Sequence, residues 1–107
     1  MTNDSDPQIA VTSISFGKSV FLRDELLRAF PNSVFNEGEH RLSGKELIEF
    51  LKDAPAAIVG TETIDDSILE RTPKLKIISK YGVGLDNIDY DSLKRRNISL
   101  GWTGGVN

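Results

Sequence analysis

Cysteine is absent from this chain of 107 residues, so neither a disulfide framework nor a thiolate zinc cluster is available, and redox chemistry does not settle its compartment. Positive charge is not in excess. The 13 Lys and Arg against 16 Asp and Glu leave a net charge of −3, with no basic stripe, which argues against a broad nucleic-acid footprint. No apolar run approaches the ~18 residues that a spanning helix needs, so no membrane partner is expected and a soluble, cytoplasmic protein is the default. The amino terminus, Met1-Thr2-Asn3-Asp4-Ser5-Asp6-Pro7, is polar and acidic where a signal peptide would be basic and then apolar. We read residues 1–7 as a short disordered lead. Internal repeats and low-complexity tracts are also lacking, and the length suits one domain with its own core.

What is present is an alternation of strand and helix patterns. Gln8 to Ser13 reads as a first strand, followed by a helix near Ser19 to Phe30 in which Val20, Leu22, Leu26, Leu27 and Phe30 recur at helical spacing. Pro31 stops it. A brief strand at Ser33-Val34-Phe35 and a polar loop precede Ser43 and Glu46, spaced as a capping box for a helix that carries Leu47, Phe50 and Leu51 on one face. Ala56-Ala57-Ile58-Val59 is apolar on both faces, as in the central strand of a covered parallel sheet. Asp65 or Asp66 then caps a helix through Leu69, Leu75 to Ser79 forms a fourth strand, and a helix from Asp89 to about Arg96 leads to a strand at Ile98-Ser99-Leu100. Five strands and four helices in alternation predict an α/β fold, a flavodoxin-like doubly wound parallel sheet of order 2-1-3-4-5.

The segment Lys80-Tyr81-Gly82-Val83-Gly84-Leu85-Asp86-Asn87-Ile88-Asp89 places a flexible glycine pair between the fourth strand and the last helix. Backbone amides bared at such a turn can hold an anion, and the carboxyl edge of an open α/β sheet is where ligands sit. A dinucleotide fingerprint is the competing reading, because Gly82-Val83-Gly84 begins a G-x-G-x-x-G. It breaks at Asn87, where the third glycine is required, and at the expected acidic residue about 20 positions on, where Trp102-Thr103-Gly104-Gly105 stands. We therefore expect a small anion rather than a cofactor pyrophosphate; a plain tight turn using its glycines only for positive φ is the structural alternative.

These residues carry a resemblance. Lys80 to Asp89, with Leu93, Arg96, Asn97-Ile98-Ser99-Leu100 and the tail Gly104-Gly105-Val106-Asn107, resemble the G-V-G-x-D-N-I-D signature and following strand of the D-isomer-specific 2-hydroxyacid dehydrogenases, the phosphoglycerate dehydrogenase and glyoxylate or hydroxypyruvate reductase group. The likeness is specific from Ala56 to Asn107 and topological before that. It implies a flavodoxin-like substrate-binding domain over residues 8–101, the start of an interdomain hinge at 102–107, and a separate Rossmann domain that binds NAD or NADP and supplies a catalytic Arg, Glu and His. None of those three can be placed on this chain. The implied partners are a small-molecule carboxylate substrate, the cofactor domain of the same protein and, at full length, a second copy in a homodimer.

The resemblance implies that Gly82, Val83 and Gly84 bind the substrate carboxylate, with Lys80, Tyr81 and Asn107 nearby. Lys80 reads either as a point charge for a second acidic group or as a surface lysine just past a strand, and Tyr81 either as a pocket wall or as cover for the sheet edge. Family members often carry an arginine or a serine at the end of the third strand, where this chain has Gly60-Thr61-Glu62; a phosphate-bearing substrate would then need its cation from Lys80 or from a distant residue. Phe16-Gly17-Lys18-Ser19 resembles the end of a phosphate loop, but Thr12 stands where the first glycine belongs, and a turn with Ser19 capping the next helix is expected. The same Thr12 and Ser13 exclude the acidic magnesium site of a receiver domain. His40, the sole histidine, reads as a solvated loop residue, Asp65-Asp66 as a helix start, Asp86 and Asp89 as turn and helix-start residues, and Asn87 as a residue tolerant of unusual φ. The sequence thus predicts the substrate-binding part of a hydride-transferring oxidoreductase, inactive alone. The rival is a free-standing small-anion module without redox chemistry.

Overall fold

A computed structural model describes residues 7–82 and 84–102. The acidic lead up to Asp6, Val83, and the tail from Thr103 to Asn107 lie outside the described residues.

The strands are short, and each of the first four is followed by a helical segment that carries the chain back to begin the next parallel strand. β1 (Ile9–Val11) leads into α1 (Ile14–Lys18) and α2 (Val20–Ala29), then β2 (Val34–Phe35), α3 (Gly44–Leu51), β3 (Ala56–Val59), α4 (Asp66–Leu69), β4 (Ile77–Lys80), α5 (Tyr90–Arg95) and β5 (Ser99–Trp102). All neighbours pair in parallel, in the order β2-β1-β3-β4-β5. The predicted fold class and strand order are therefore those observed. The α/β crossovers that parallel pairing demands place helices on both faces. Ile9, Val11, Phe16 and Phe35 pack with Leu22, Leu26 and Leu27 of α2 on one face. On the other, Ala10, Ala57, Val59 and Ile78 pack with Leu47 and Leu51 of α3, Ile68 and Leu69 of α4 and Leu93 of α5.

Three local expectations need correction. The turn expected after the first strand is a short helix, α1, whose N-cap Ser13 accepts a hydrogen bond from Phe16 N, so the described residues hold five helices rather than four. The capping box at α3 does not form. Ser43 stands at the N-cap without a side-chain bond, while Glu46 lies 3.4 Å from exposed His40 across the preceding loop. Asn87 has no unusual φ; among the described non-glycine residues the positive φ belongs to Asn97, at 58°.

Candidate functional site

The order β2-β1-β3-β4-β5 reverses direction between β1 and β3, and the crevice outside the carboxyl ends of strands at such a switch point is the preferred ligand site of open α/β sheets. A cleft of about 510 Å³ lies there, lined by segments that follow β1 (Ser13, Lys18), β2 (Arg41), β3 (Gly60, Thr61) and β4 (Tyr81). Gly60 is required by close approach: a Cβ on it would lie 3.3 Å from Ser13 Cβ and 3.4 Å from Ser13 Oγ. A bulkier residue there would push the β3 exit away from α1.

Gly82 lines this cleft. Gly82 has φ 120° and Gly84 φ 79°, backbone that L side chains rarely adopt, and it turns the chain sharply out of β4. Two anchors hold the turn. On one side Tyr81 N donates to Val59 O at 2.8 Å. On the other, Ile88 pairs with Ile64 as a parallel bridge, with Ile64 N donating to Asn87 O at 2.9 Å and Asp89 N to Ile64 O at 2.8 Å. The Asn87 side chain completes the frame by donating Nδ2–H to Gly60 O at 2.9 Å and to Glu62 O at 2.7 Å. The loops after β3 and β4 are thus tied together around the cleft.

Lys80 is the last residue of β4 and is only 3% exposed, so it is not a surface lysine. Its Nζ would sit 3.6 Å from a Cβ placed on Gly82, which puts the ammonium against the glycine turn. Glu62 is 2% exposed, and its Oε1 accepts from Thr12 Oγ1 and from Gly60 N, each at 2.8 Å. These bonds satisfy a buried carboxylate that would otherwise be costly. The Tyr81 ring meets Phe16 edge-on at 5.3 Å and 87°, which fastens the β4 exit to α1, and Tyr81 lines the cleft.

Of the site residues predicted from sequence, Lys80, Tyr81 and Gly82 line one cleft and Gly84 completes the turn beside it; Val83 and Asn107 lie outside the described residues. Lys18 and Arg41 were not among them. Both are exposed, and the fold brings them in because the loops after β1 and β2 end on the same edge; the predicted strand order already contained that signal. The phosphate-loop likeness at Phe16-Gly17-Lys18-Ser19 does not survive, because Gly17 N donates to Ser13 O at 3.1 Å and Ser19 N to Phe16 O at 3.1 Å, which leaves those amides unavailable to a phosphate.

A dinucleotide does not fit the glycine turn. Its pyrophosphate needs a helix N-terminus directly after the glycines, whereas here a turn at Asp86-Asn87 and the Ile88 bridge intervene before α5 opens at Tyr90. Asn87 is committed to the neighbouring loop. Among the described residues no group of three His, Asp or Glu is placed to hold a metal ion. No helix among them is long and apolar enough to cross a membrane.

Residues 19–107 match the family model described as D-isomer specific 2-hydroxyacid dehydrogenase, catalytic domain, so the likeness begins well before Ala56. The chain is 38% identical over 63 residues to glyoxylate reductase of Pyrococcus furiosus, across 58% of this chain and 19% of that relative. It is 42% identical over 65 residues to glyoxylate reductase of Korarchaeum cryptofilum, across 60% of this chain and 20% of that relative. Among solved structures it is similar to NAD+-bound 3-phosphoglycerate dehydrogenase of Entamoeba histolytica, with a TM-score of 0.74 and 25% identity, covering 91% of this chain and 33% of that one. The chain spans about a fifth of the length of the curated relatives it matches.

Proposed function

The chain belongs to the D-isomer specific 2-hydroxyacid dehydrogenase family, and from that premise we propose that it is the substrate-binding region of an oxidoreductase that moves a hydride between NAD or NADP and C2 of a D-2-hydroxy acid or its 2-keto acid. The observation that carries this reading is the positive φ of Gly82 and Gly84, with Gly82 lining the switch-point cleft and the Lys80 ammonium against Gly82. The amides of Val83 and Gly84, with that of Gly82, donate to the substrate carboxylate. Donors fixed in advance by the frame around them cost little reorganisation when the anion arrives. Lys80 adds positive potential, and Tyr81 forms a wall that limits the water around the anion.

The region from residue 8 to 101 is the substrate domain, and 102–107 begins the hinge to a cofactor domain that carries the dinucleotide, an arginine to polarise the keto oxygen, and an acid–base histidine with its glutamate. Asn107 approaches the substrate from the hinge, and the assembled enzyme is a homodimer. The share of the relatives that this chain spans supports that division of labour. The purified chain should therefore show no NADH- or NADPH-dependent reduction of glyoxylate or hydroxypyruvate, and no tight quenching of reduced-nicotinamide fluorescence. Measurable turnover by these 107 residues would place catalysis inside the chain and overturn the proposal.

A further inference from the structure

Among the described residues that line the cleft, Glu62 is the one acidic side chain, and it is 2% exposed. A carboxylate in that wall opposes the arrival of any anion, and a buried charge kept for stability alone is readily replaced by an apolar group. Its bonds show what it does instead. Oε1 accepts from Thr12 Oγ1, just past β1, and from Gly60 N, just past β3, each at 2.8 Å. Thr12 is itself fully buried, so one carboxylate oxygen joins two strand exits in the interior.

From there the connection reaches the glycine turn through Asn87. With Glu62 Oε1 turned back onto Gly60 N, the carbonyls of Gly60 and Glu62 converge on Asn87 Nδ2, which donates to them at 2.9 Å and 2.7 Å. Asn87 lies three positions after Gly84, and its own carbonyl accepts from Ile64 N at 2.9 Å. The path from Thr12 through Glu62 to Asn87 therefore crosses the exits of β1, β3 and β4. A buried polar network whose members are satisfied is stiff, and donors held stiffly reorganise little when charge arrives.

We infer that Glu62 is a positioning residue for the glycine turn, acting through Asn87, and that its charge at the same time limits the affinity of the cleft for anions. The inference rests on the proposal that the turn holds the substrate carboxylate. One side chain thus acts on the anion in opposite directions: its hydrogen bonds aim the amides, and its charge repels what they bind. A site that must release a carboxylate product at every turnover uses both effects.

Glu62→Gln and Glu62→Ala separate the two effects, because both remove the charge and only the first keeps an acceptor where Oε1 stands. Among the described residues Oε2 accepts no hydrogen bond, so the new NH2 displaces no donor there. Thr12→Val, which keeps the charge and removes one bond, completes the set, and retained amide dispersion checks that each variant is folded. The measurement is an amide NMR titration of the chain with glycolate, followed at Gly82 and Gly84. Glu62→Gln should bind about threefold tighter than the parent chain, as expected for withdrawing a like charge from a partly screened site. Glu62→Ala should bind about tenfold more weakly than Glu62→Gln, the loss expected when one charge-assisted contact is mis-aimed, and Thr12→Val more weakly than the parent. The two Glu62 variants then fall on opposite sides of the parent, whereas a role in folding alone would lower melting temperatures and leave the affinity of the folded chain unchanged. Equal affinities for Glu62→Gln and Glu62→Ala would overturn the positioning role, as would an unchanged affinity for Thr12→Val should Glu62→Ala fail to fold. A Glu62→Gln chain no tighter than the parent would overturn the limit set by charge. Each of these outcomes leaves the glycine turn intact; glycolate that fails to bind the parent, or binds without shifting Gly82 or Gly84, would defeat the glycine-turn reading and this inference with it.

Discussion

Asp66 gathers three partners around one carboxylate oxygen: Ser92 Oγ donates at 2.7 Å, Arg96 Nη2 at 2.9 Å and Arg95 Nη2 at 3.3 Å. The Ser92 hydroxyl first, and the Arg96 guanidinium second, lower its pKa from 3.8 to about 2. A carboxylate whose folded pKa lies below its unfolded one contributes stability that is complete above the unfolded value and is lost as pH falls through the folded value. The contribution of Asp66 should therefore be whole at neutral pH and fade between about pH 4 and pH 2. Urea midpoints measured across that interval should drop less steeply for Asp66→Asn than for the parent chain, and identical slopes would show that the network does not act on folding. The sequence suggested only that Asp65-Asp66 begins a helix, which is true of both residues. It did not reveal the bonds to Ser92 and Arg96, because the partners are 26 and 30 positions away. Asn87 teaches the same point: its value lies in two backbone carbonyls 27 and 25 positions away, not in its own φ.

At the scale of the elements, apolar runs, breakers and cap residues were enough to place five strands and the helices α2 to α5. The helix α1 escaped because it holds Gly17 and a single buried residue, Phe16, so no helical period shows in the sequence. Caps were partly legible. Ser19, Asp65 and Asp89 each accept a hydrogen bond from the backbone of their own helices, as their residue types suggest. Ser43 does not, because Glu46 lies toward His40 and the reciprocal pair is lost. This difference sets a paired prediction. Asp89→Ala should destabilise the chain by about 1 kcal/mol, in the usual range for a lost N-cap, whereas Ser43→Ala should stay within about 0.5 kcal/mol, as for an exposed side chain without a partner. Equal losses for the two variants by chemical denaturation would contradict the cap geometry.

For the whole molecule, the strand order decides where the chemistry collects. With β1 and β3 adjacent and their connections leaving on opposite faces, the exits of β1, β3 and β4 converge on one cleft. Gly82, which lines that cleft, could be singled out from the sequence, since its residue type and its place after a strand are local facts. Lys18 and Arg41, which also line it, were implicit only in the predicted strand order, because nothing local to their own segments marks them.

The central claim is a separation of tasks within one enzyme, in which the glycine turn of this region holds the substrate carboxylate and the dinucleotide is bound elsewhere. Gly84→Val in the intact enzyme tests it most directly. A Cβ on Gly84 would meet nothing within 4 Å, so the substitution acts through the 79° φ that a β-branched residue resists, re-aiming the amides rather than filling the cleft. Loss of a charge-assisted hydrogen bond costs about 1.5 to 3 kcal/mol, roughly ten- to a hundredfold in affinity. With folding checked by circular dichroism and melting, steady-state kinetics should show kcat/KM for the hydroxy acid reduced by that factor, while the reduced-cofactor Kd from fluorescence titration moves less than twofold. Unchanged kinetics for the hydroxy acid, or an equal loss of affinity for the cofactor, would contradict the account.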